Sequence, residues 1–169
     1  DCNPFDKIET SIKEPVILPK TIPLDTIGEI LCFAYTQIEK SNTDYKKNCA
    51  IRNAAVLELL FATGARVAEI CNLHSQDVDF IGKSVKLYGK GSKERIIPIE
   101  NTSVLTILSD YYFIYAEKIS DCGYFFVNKY GKRLTEQSVR CMINSCCQTC
   151  GISMHITPHM FRPSFATLL

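Results

Sequence analysis

The chain has 169 residues, of which 46% are hydrophobic, and its formal net charge is +1. This length and apolar content suit one globular domain, which buries roughly 70% of the surface that its unfolded chain exposes. No apolar run reaches the ~18 residues of a membrane-spanning helix, and the N-terminus lacks the basic and apolar regions of a signal peptide. We therefore expect a soluble, non-exported, cytoplasmic protein without a membrane partner.

The cysteine content is high, with nine cysteines in the chain. An odd number and the lack of an export signal favour reduced thiols over a disulfide scaffold. We expect most of these cysteines to be small core residues.

The first residues, 1–24, are expected to be a linker. They contain few apolar residues at helical spacing and carry Pro4, Pro15, Pro19 and Pro23. Prolines at this density favour an extended segment without a core of its own. The folded domain is therefore predicted to cover residues 25–169.

Helical periodicity predicts the first three elements of that domain. The first helix is expected to run from an N-cap at Asp25 to about residue 40. A second helix at about 45–62 is richer in apolar residues, so it should be the most buried, and Gly64 should end it. A short third helix is expected over residues 66–73.

The sequence then changes to an alternating pattern. Val85 and Leu87 alternate with polar or exposed types, and Ile96 and Ile97 begin a second run. Two such runs around a glycine-containing turn predict an antiparallel hairpin with its turn at residues 89–94. Pro98 predicts that the second strand lies at an edge.

The remaining pattern is again mainly helical. A helix is expected at about 101–119, a turn or hairpin at 124–134, and a helix capped by Thr135 that ends near residue 150. Thr157, with Pro158 at the first helical position, is expected to open a last helix that runs to residue 169. The predicted fold class is therefore α+β, mainly helical, with a small antiparallel sheet.

Three short segments carry candidate functional residues. Arg66 follows a helix stop, Lys90 and Lys93 lie in the glycine-bearing turn, and His159 and Arg162 lie three residues apart at the start of the last helix. Each has an ordinary explanation, because Arg66 could pair with Glu69, turn lysines are often only solvated, and a lone histidine is usually structural. Together they offer cations and an imidazole suited to a phosphate group.

In this order, Arg66, Lys90, His159 and Arg162 resemble the catalytic residues of the tyrosine recombinase/integrase family. The resemblance covers about residues 25–169 in three motifs, each in the expected helix or hairpin context. It implies that residues 1–24 link to an absent N-terminal core-binding domain and that residues 25–169 form a catalytic domain. Lys93 is the less favoured substitute for Lys90, because the choice rests on the hairpin register.

The resemblance implies site-specific DNA recombination or integration through a 3′-phosphotyrosyl intermediate. In that chemistry the two arginines stabilise the charge that develops on the phosphate, the lysine protonates the 5′ oxygen, and the histidine assists. Neither a metal nor a small-molecule cofactor is implied. The expected partners are a double-stranded DNA site and further copies of the chain, and the expected source is a mobile element, bacterial or phage-encoded.

Two features depart from the family pattern. All eight tyrosines precede His159, whereas the family's nucleophile follows the second arginine. The sequence is therefore predicted to lack the nucleophile-bearing end and to be inactive in cleavage. Pro163, where relatives often carry histidine, is expected to bend the last helix just beyond Arg162.

Two clusters of cations are candidates for DNA contact. The predicted residues are Lys83, Lys86, Lys93, Arg95, Lys132 and Arg133. Cations gathered on hairpins can bind phosphates even when the net charge is small. Taken alone, this pattern favours two solvated hairpins.

Three other interpretations remain open. The chain could be a non-catalytic DNA-binding protein that keeps the phosphate-binding residues, or, more remotely, a relative of type IB topoisomerases. The spacing of Cys147, Cys150, His155 and His159 also resembles a compact zinc site. Because the two cysteines fall in a helical pattern and His159 belongs to the stronger motif, we expect no metal.

Overall fold

The computed structural model describes residues 21–89 and 94–161, with the backbone alone for His159. These residues form five α-helices, which are α1 (Leu24–Glu39), α2 (Asp44–Thr63), α3 (Val67–Cys71), α4 (Thr102–Cys122) and α5 (Glu136–Thr149). They also form three strands, β1 (Val78–Asp79), β2 (Ser84–Tyr88) and β3 (Glu94–Pro98). Short 3-10 helices cover Ser75–Asp77 and Pro158–Met160. The predicted mainly helical fold with a small antiparallel sheet is confirmed.

Helix α2 forms the centre of the core. Every residue from Ala54 to Leu60 is buried, so the helix is enclosed on all sides along its second half. The helix starts where the Thr43 side chain accepts the Lys46 N–H, and it ends at Gly64 in the left-handed conformation, with φ of 55°. The prediction that this helix is the most buried and stops at Gly64 is confirmed.

Helix α1 begins slightly before its predicted start. Its N-cap is Pro23 rather than Asp25, which lies in the first turn. The carbonyl of Pro23 accepts the Ile27 N–H at 3.0 Å, so the helical hydrogen bonds already start there. The prediction of Asp25 as the N-cap was therefore wrong. The N-cap is the residue whose carbonyl accepts the first helical hydrogen bond, whatever side chain that residue carries.

The sheet has the order β1-β2-β3, and both of its pairs are antiparallel. Leu87 lies opposite Arg95, and Val85 lies opposite Ile97. The predicted hairpin is confirmed, as is the edge position of β3, which carries Pro98. The additional strand β1 was missed because two residues give no readable alternation.

Helix α4 anchors the segment that follows it. The buried Tyr111 hydroxyl donates to the Phe125 carbonyl at 3.0 Å and accepts the Val127 N–H at 2.9 Å. That segment turns back through a bridge between Val127 and Arg133, as predicted for residues 124–134. The Thr135 side chain then accepts the Ser138 N–H, which confirms the predicted cap of α5.

The described end of the chain packs against α2. Pro158 is the first residue of its 3-10 helix, as predicted, and Phe161 is fully buried with its ring 4.5 Å from that of Phe61. The rest of the predicted last helix, including Pro163, lies outside the described residues. Among the residues that the structure describes, no helix has the length and apolar character needed to cross a membrane.

Candidate active site

Arg66 projects from a tight junction between α2 and α3. Its backbone is the N-cap of α3, in an extended conformation, and its neighbours Ala65 and Val67 are fully buried. The Thr63 hydroxyl accepts the Ala65 N–H at 3.2 Å and donates to the Leu59 carbonyl at 2.6 Å. The Arg66 side chain is 49% exposed, so a half-exposed guanidinium stands on a rigid, buried base.

Glu69 is the partner of Arg66 and lies almost completely within the protein. Its side chain is 5% exposed. Its Oε2 accepts the Arg66 backbone N–H at 2.8 Å, and its Oε1 accepts an N–H from Arg66 Nη1 at 3.1 Å. The alternative that Arg66 pairs with Glu69 is therefore confirmed, and within residues 21–89 and 94–161 Glu69 is the partner of this guanidinium.

Arg95 is a second guanidinium on the same carboxylate. It reaches Glu69 from β3, with Nη1 3.0 Å from Oε1 and Nη2 2.6 Å from Oε2. Strand β3 alternates in exposure, and Arg95 belongs to the less exposed set while Ile96 faces solvent. The hairpin is thereby joined to α3 by a bidentate ion pair, the strongest of the usual Arg–carboxylate geometries.

The two arginines decide the charge of Glu69. Burial by itself would raise the pKa of its carboxyl, but the hydrogen bonds from Arg95 and from Arg66 outweigh burial and hold the pKa below its usual value. The same contact raises the pKa of Arg95. The cluster therefore holds two cations and one anion at neutral pH.

Arg133 lies at the opposite end of α3. Its Nη1 donates to the Asn72 side-chain oxygen at 2.6 Å, and its guanidinium lies 5.7 Å from the centre of the Tyr124 ring. Asn72 is the C-cap of α3, whereas Arg66 is its N-cap. At about 1.5 Å per residue the two caps are roughly 9 Å apart, so Arg66, Arg95 and Arg133 all gather around one short helix.

Three predicted lysines on the two hairpins, Lys83, Lys86 and Lys132, have no described contact with this cluster. Lys86 pairs with Glu94 across the hairpin at 3.1 Å and lies over the Tyr88 ring, and the Glu94 contact raises its pKa. Lys83 is exposed in the turn before β2, with φ of 50°. Lys132 is exposed in the turn that precedes α5. These three lysines thus offer solvent-facing charge on the two hairpins.

Three other predicted site residues lie outside the described residues. These are Lys90, Lys93 and Arg162, while His159 is described by its backbone only, within Pro158–Met160. The described part of their motifs still bears on the site. Phe161 packs on Phe61, in the last turn of α2, so the motif that contains His159 reaches the end of α2 from which Arg66 projects.

The cysteine and histidine spacing that resembles a zinc site does not form a metal-ligand cluster among the described residues. Cys147 is buried within the core, and His155 is exposed. Across residues 21–89 and 94–161, no group of three or more His, Cys, Asp or Glu could hold a metal ion. The cysteines within these ranges are free thiols.

Glu69 was expected only as a partner of Arg66, and its contact with Arg95 was not foreseen. Its position three residues after the N-cap is the local signal, because a glutamate there commonly accepts the N-cap N–H. Its second partner, Arg95, is 26 residues away in sequence and had no such signal. Asn72 likewise gave no sign of its contact with Arg133.

Comparison with known proteins decides the family. A match to the phage integrase family spans residues 33–169, most of the chain. The chain belongs to this family. The resemblance predicted from Arg66, Lys90, His159 and Arg162 is thereby confirmed, together with the tyrosine-recombinase type of fold.

Individual phage integrase relatives agree with this assignment. A tyrosine recombinase of Agathobacter rectalis is 50% identical over 167 residues, which cover 99% of this chain and 55% of the relative. The crystal structure of XerA recombinase superposes with a TM-score of 0.73 at 26% identity, over 90% of this chain and 51% of that one. This chain therefore spans about half the length of the relatives it matches.

A DNA-bound member shares the fold. The structure of the XerH site-specific recombinase bound to its difH substrate superposes with a TM-score of 0.72, over 92% of this chain and 44% of that one. Its sequence identity is 21%, so this similarity shows the fold alone.

Proposed function

We propose that this chain provides the phosphate-binding part of a site that breaks and rejoins DNA strands through a 3′-phosphotyrosyl intermediate. The observation that carries the proposal is the half-exposed guanidinium of Arg66 on a buried base, with Glu69 holding one edge of it. A fork of N–H groups suits two phosphate oxygens, and its fixed position favours the charge that develops during in-line attack.

The other catalytic roles follow from the family pattern. Arg162 is proposed to bind the same phosphate as Arg66, Lys90 to protonate the departing 5′ oxygen, and His159 to assist by proton transfer or by a hydrogen bond. Lys93 remains the substitute for Lys90. The contact of Phe161 with Phe61 supports this set, because it brings the third motif to the end of α2 beside Arg66.

The nucleophile is proposed to lie outside these 169 residues. All eight tyrosines of the sequence precede His159. The buried Tyr111 is already used in the core, where it holds Phe125 and Val127. We therefore expect the 169-residue chain to bind DNA without cutting it, and to require a later tyrosine for cleavage.

Double-stranded DNA is the proposed partner, bound by several copies of the chain. A neighbour with the same fold is described as bound to its difH substrate, which supports this choice. Lys83, Lys86 and Lys132 are proposed to contact phosphates through the exposed hairpins, with Lys93 beside them. Arg133 is proposed to contribute from the end of α3, because its guanidinium is already oriented by Asn72 and Tyr124.

The source and cellular location also belong to the proposal. We propose a cytoplasmic mobile-element integrase, bacterial or phage-encoded, and the family's description as phage integrases supports the mobile-element origin. The non-catalytic DNA-binding protein stays the alternative, and it predicts the same phosphate contacts without strand cleavage.

The test is to replace Arg66 by Ala and to measure affinity for a mixed-sequence DNA duplex against salt. Loss of one phosphate contact should weaken binding roughly tenfold at low salt and reduce the salt slope by about 1. Arg52→Ala is the control, because Arg52 lies on α2 and bonds the Asn53 side chain. Equal affinities for the two variants would refute the proposed role of Arg66.

A separate experiment addresses cleavage. A longer chain in which these residues are followed by a tyrosine nucleophile should yield a covalent adduct with nicked DNA, and Arg66→Ala should reduce adduct formation more than binding. Binding without any adduct from that longer chain would favour the non-catalytic alternative.

A further inference from the structure

We propose that Arg95 is a positioning residue, which acts through Glu69 to orient the guanidinium of Arg66 toward a phosphate. This inference rests on the proposed function, since it concerns the same phosphate site. It differs from the earlier expectation that Arg95 serves only as a DNA contact.

The first support is the number of donors on one carboxylate. Glu69 Oε1 accepts N–H groups from Arg66 Nη1 and Arg95 Nη1, and Oε2 accepts them from the Arg66 backbone and Arg95 Nη2. An ionised carboxylate offers about four lone-pair sites. All of them are engaged, so neither oxygen can turn without breaking a charged hydrogen bond.

The second support is the freedom that Glu69 would have without Arg95. Without Arg95, Glu69 would keep only its two hydrogen bonds from Arg66, one to each oxygen. Because the terminal torsion of a glutamate is broad, these two bonds fix the carboxylate plane less firmly than four do. Arg95 binds both oxygens at 2.6 and 3.0 Å and so fixes that plane. Because Oε1 also holds Arg66 Nη1 at 3.1 Å, the plane in turn directs the guanidinium of Arg66.

The third support is the charge balance. With Arg95 present, one buried carboxylate is shared between two cations, so the cluster remains positive. Without Arg95, Arg66 and Glu69 would form a neutral pair, and the carboxylate would compete with a phosphate for the same N–H groups. Arg95 therefore keeps Arg66 available as well as oriented.

The exposed fractions fit this division of roles. The Arg66 side chain is 49% exposed, the Arg95 side chain is 34% exposed, and Glu69 between them is 5% exposed. Arg66 is thus the outermost member of the cluster. Arg95 is the inner member, and its contact also ties strand β3 to α3.

The decisive experiment is a double-mutant cycle with Arg95→Lys and Arg66→Ala. Lysine keeps the positive charge but cannot form the two-pronged contact with a carboxylate. The probe is a mixed-sequence DNA duplex at low salt. Arg95→Lys should weaken binding about fivefold when Arg66 is present and less than about twofold in the Arg66→Ala background, because coupled residues are not additive.

The matched control is Arg52→Lys. It makes the same substitution on α2, where the guanidinium bonds the Asn53 side chain, and it should leave affinity unchanged in both backgrounds. Equal losses for Arg95→Lys with and without Arg66 would mean that Arg95 contacts DNA itself, which would overturn the proposal. No loss in either background would overturn it as well.

A spectroscopic measurement separates this inference from the proposed function. The Arg66 Nε–H resonance of the free protein should shift in Arg95→Lys and stay in place in Arg52→Lys. An unchanged Arg66 resonance would refute the positioning role, whatever the effect of the substitution on DNA affinity. An Arg66→Ala variant with normal DNA affinity would instead refute the phosphate role of Arg66, even if the resonance shifts as expected.

Discussion

Two buried glutamates on successive helices have opposite surroundings. Glu58 lies in the middle of α2 between the fully buried Leu57 and Leu59, and its Oε1 accepts the Tyr35 hydroxyl at 2.9 Å. Glu69 on α3 is buried to a similar degree but meets two guanidinium groups. The two residues therefore show how different donors act on buried carboxylates.

The donors reverse the effect of burial. Burial raises the pKa of Glu58, and the hydrogen bond from Tyr35 offsets this only in part. At Glu69 the charged donors more than offset burial, so the pKa falls below its usual value. The comparison shows that guanidinium partners, rather than exposure to water, keep the carboxylate of the site ionised.

The largest expected effect follows from deleting the Glu69 carboxylate. Glu69→Ala removes all the charged hydrogen bonds that join Arg66, α3 and β3, at a cost of about 2–3 kcal/mol. A midpoint of thermal unfolding lower by about 5–10 °C would record this. Glu117→Ala, at an exposed position on α4, should change stability by less than about 0.5 kcal/mol and serves as the control. Similar shifts for both variants would contradict the stabilising role of the ion pairs.

A smaller loss is expected at the neutral donor of the other glutamate. Tyr35→Phe leaves the ring in place but removes the hydroxyl from Glu58, which should cost about 1–2 kcal/mol near pH 7. Because that hydrogen bond lowers the pKa of Glu58, its loss should let the pKa rise further. Denaturant unfolding should thus show a greater loss at pH 8 than at pH 5. Tyr130→Phe, where the tyrosine is 74% exposed, should be neutral at both.

The smallest effect, and the sharpest in sign, is the pH dependence of two Gln variants. A raised pKa for Glu58 stabilises the folded state below the unfolded pKa of about 4.3, and this stabilisation is lost as pH rises through the folded pKa. The stability of Glu58→Gln relative to the natural chain should therefore increase, by up to about 1 kcal/mol, as pH rises to 8.

Glu69→Gln should show the opposite trend. Its carboxylate contributes stability above the unfolded pKa of about 4.3 and loses it as pH falls through the lowered folded pKa. The stability of the variant should thus lie furthest below that of the natural chain near neutral pH and approach it in acid. Parallel pH profiles for the two Gln variants, measured by thermal unfolding, would show that the two carboxylates do not differ as described.

Much of the fold could be predicted because its signals are local. The stop at Gly64, the cap at Thr135, the helix start at Pro158, and the alternation of β2 and β3 each depend on neighbours in sequence. The errors were local as well. The N-cap of α1 is Pro23, whose carbonyl accepts the first helical hydrogen bond, and not Asp25. Strand β1 has two residues, which are too few to show an alternating pattern.

The candidate site was only partly predictable. Arg66 could be singled out from the turn that precedes it, and Glu69 could be named as its partner because it lies three residues later. Arg95 could be identified as a cation on a hairpin, but its use on Glu69 depends on how β3 packs against α3. A sequence does not show whether a cation on a hairpin stays exposed or forms a buried ion pair.

The sequence by itself was enough to predict helices α1 to α5, the hairpin and the resemblance to the family, since these depend on short-range periodicity and on motifs in order. Only the tertiary structure decided which cations share a partner. It brought Arg95 to Glu69 across 26 residues and Arg133 to Asn72 across 61. The physical reason is that charged hydrogen bonds act over about 3 Å, so their energies depend on the packing of distant elements rather than on sequence separation.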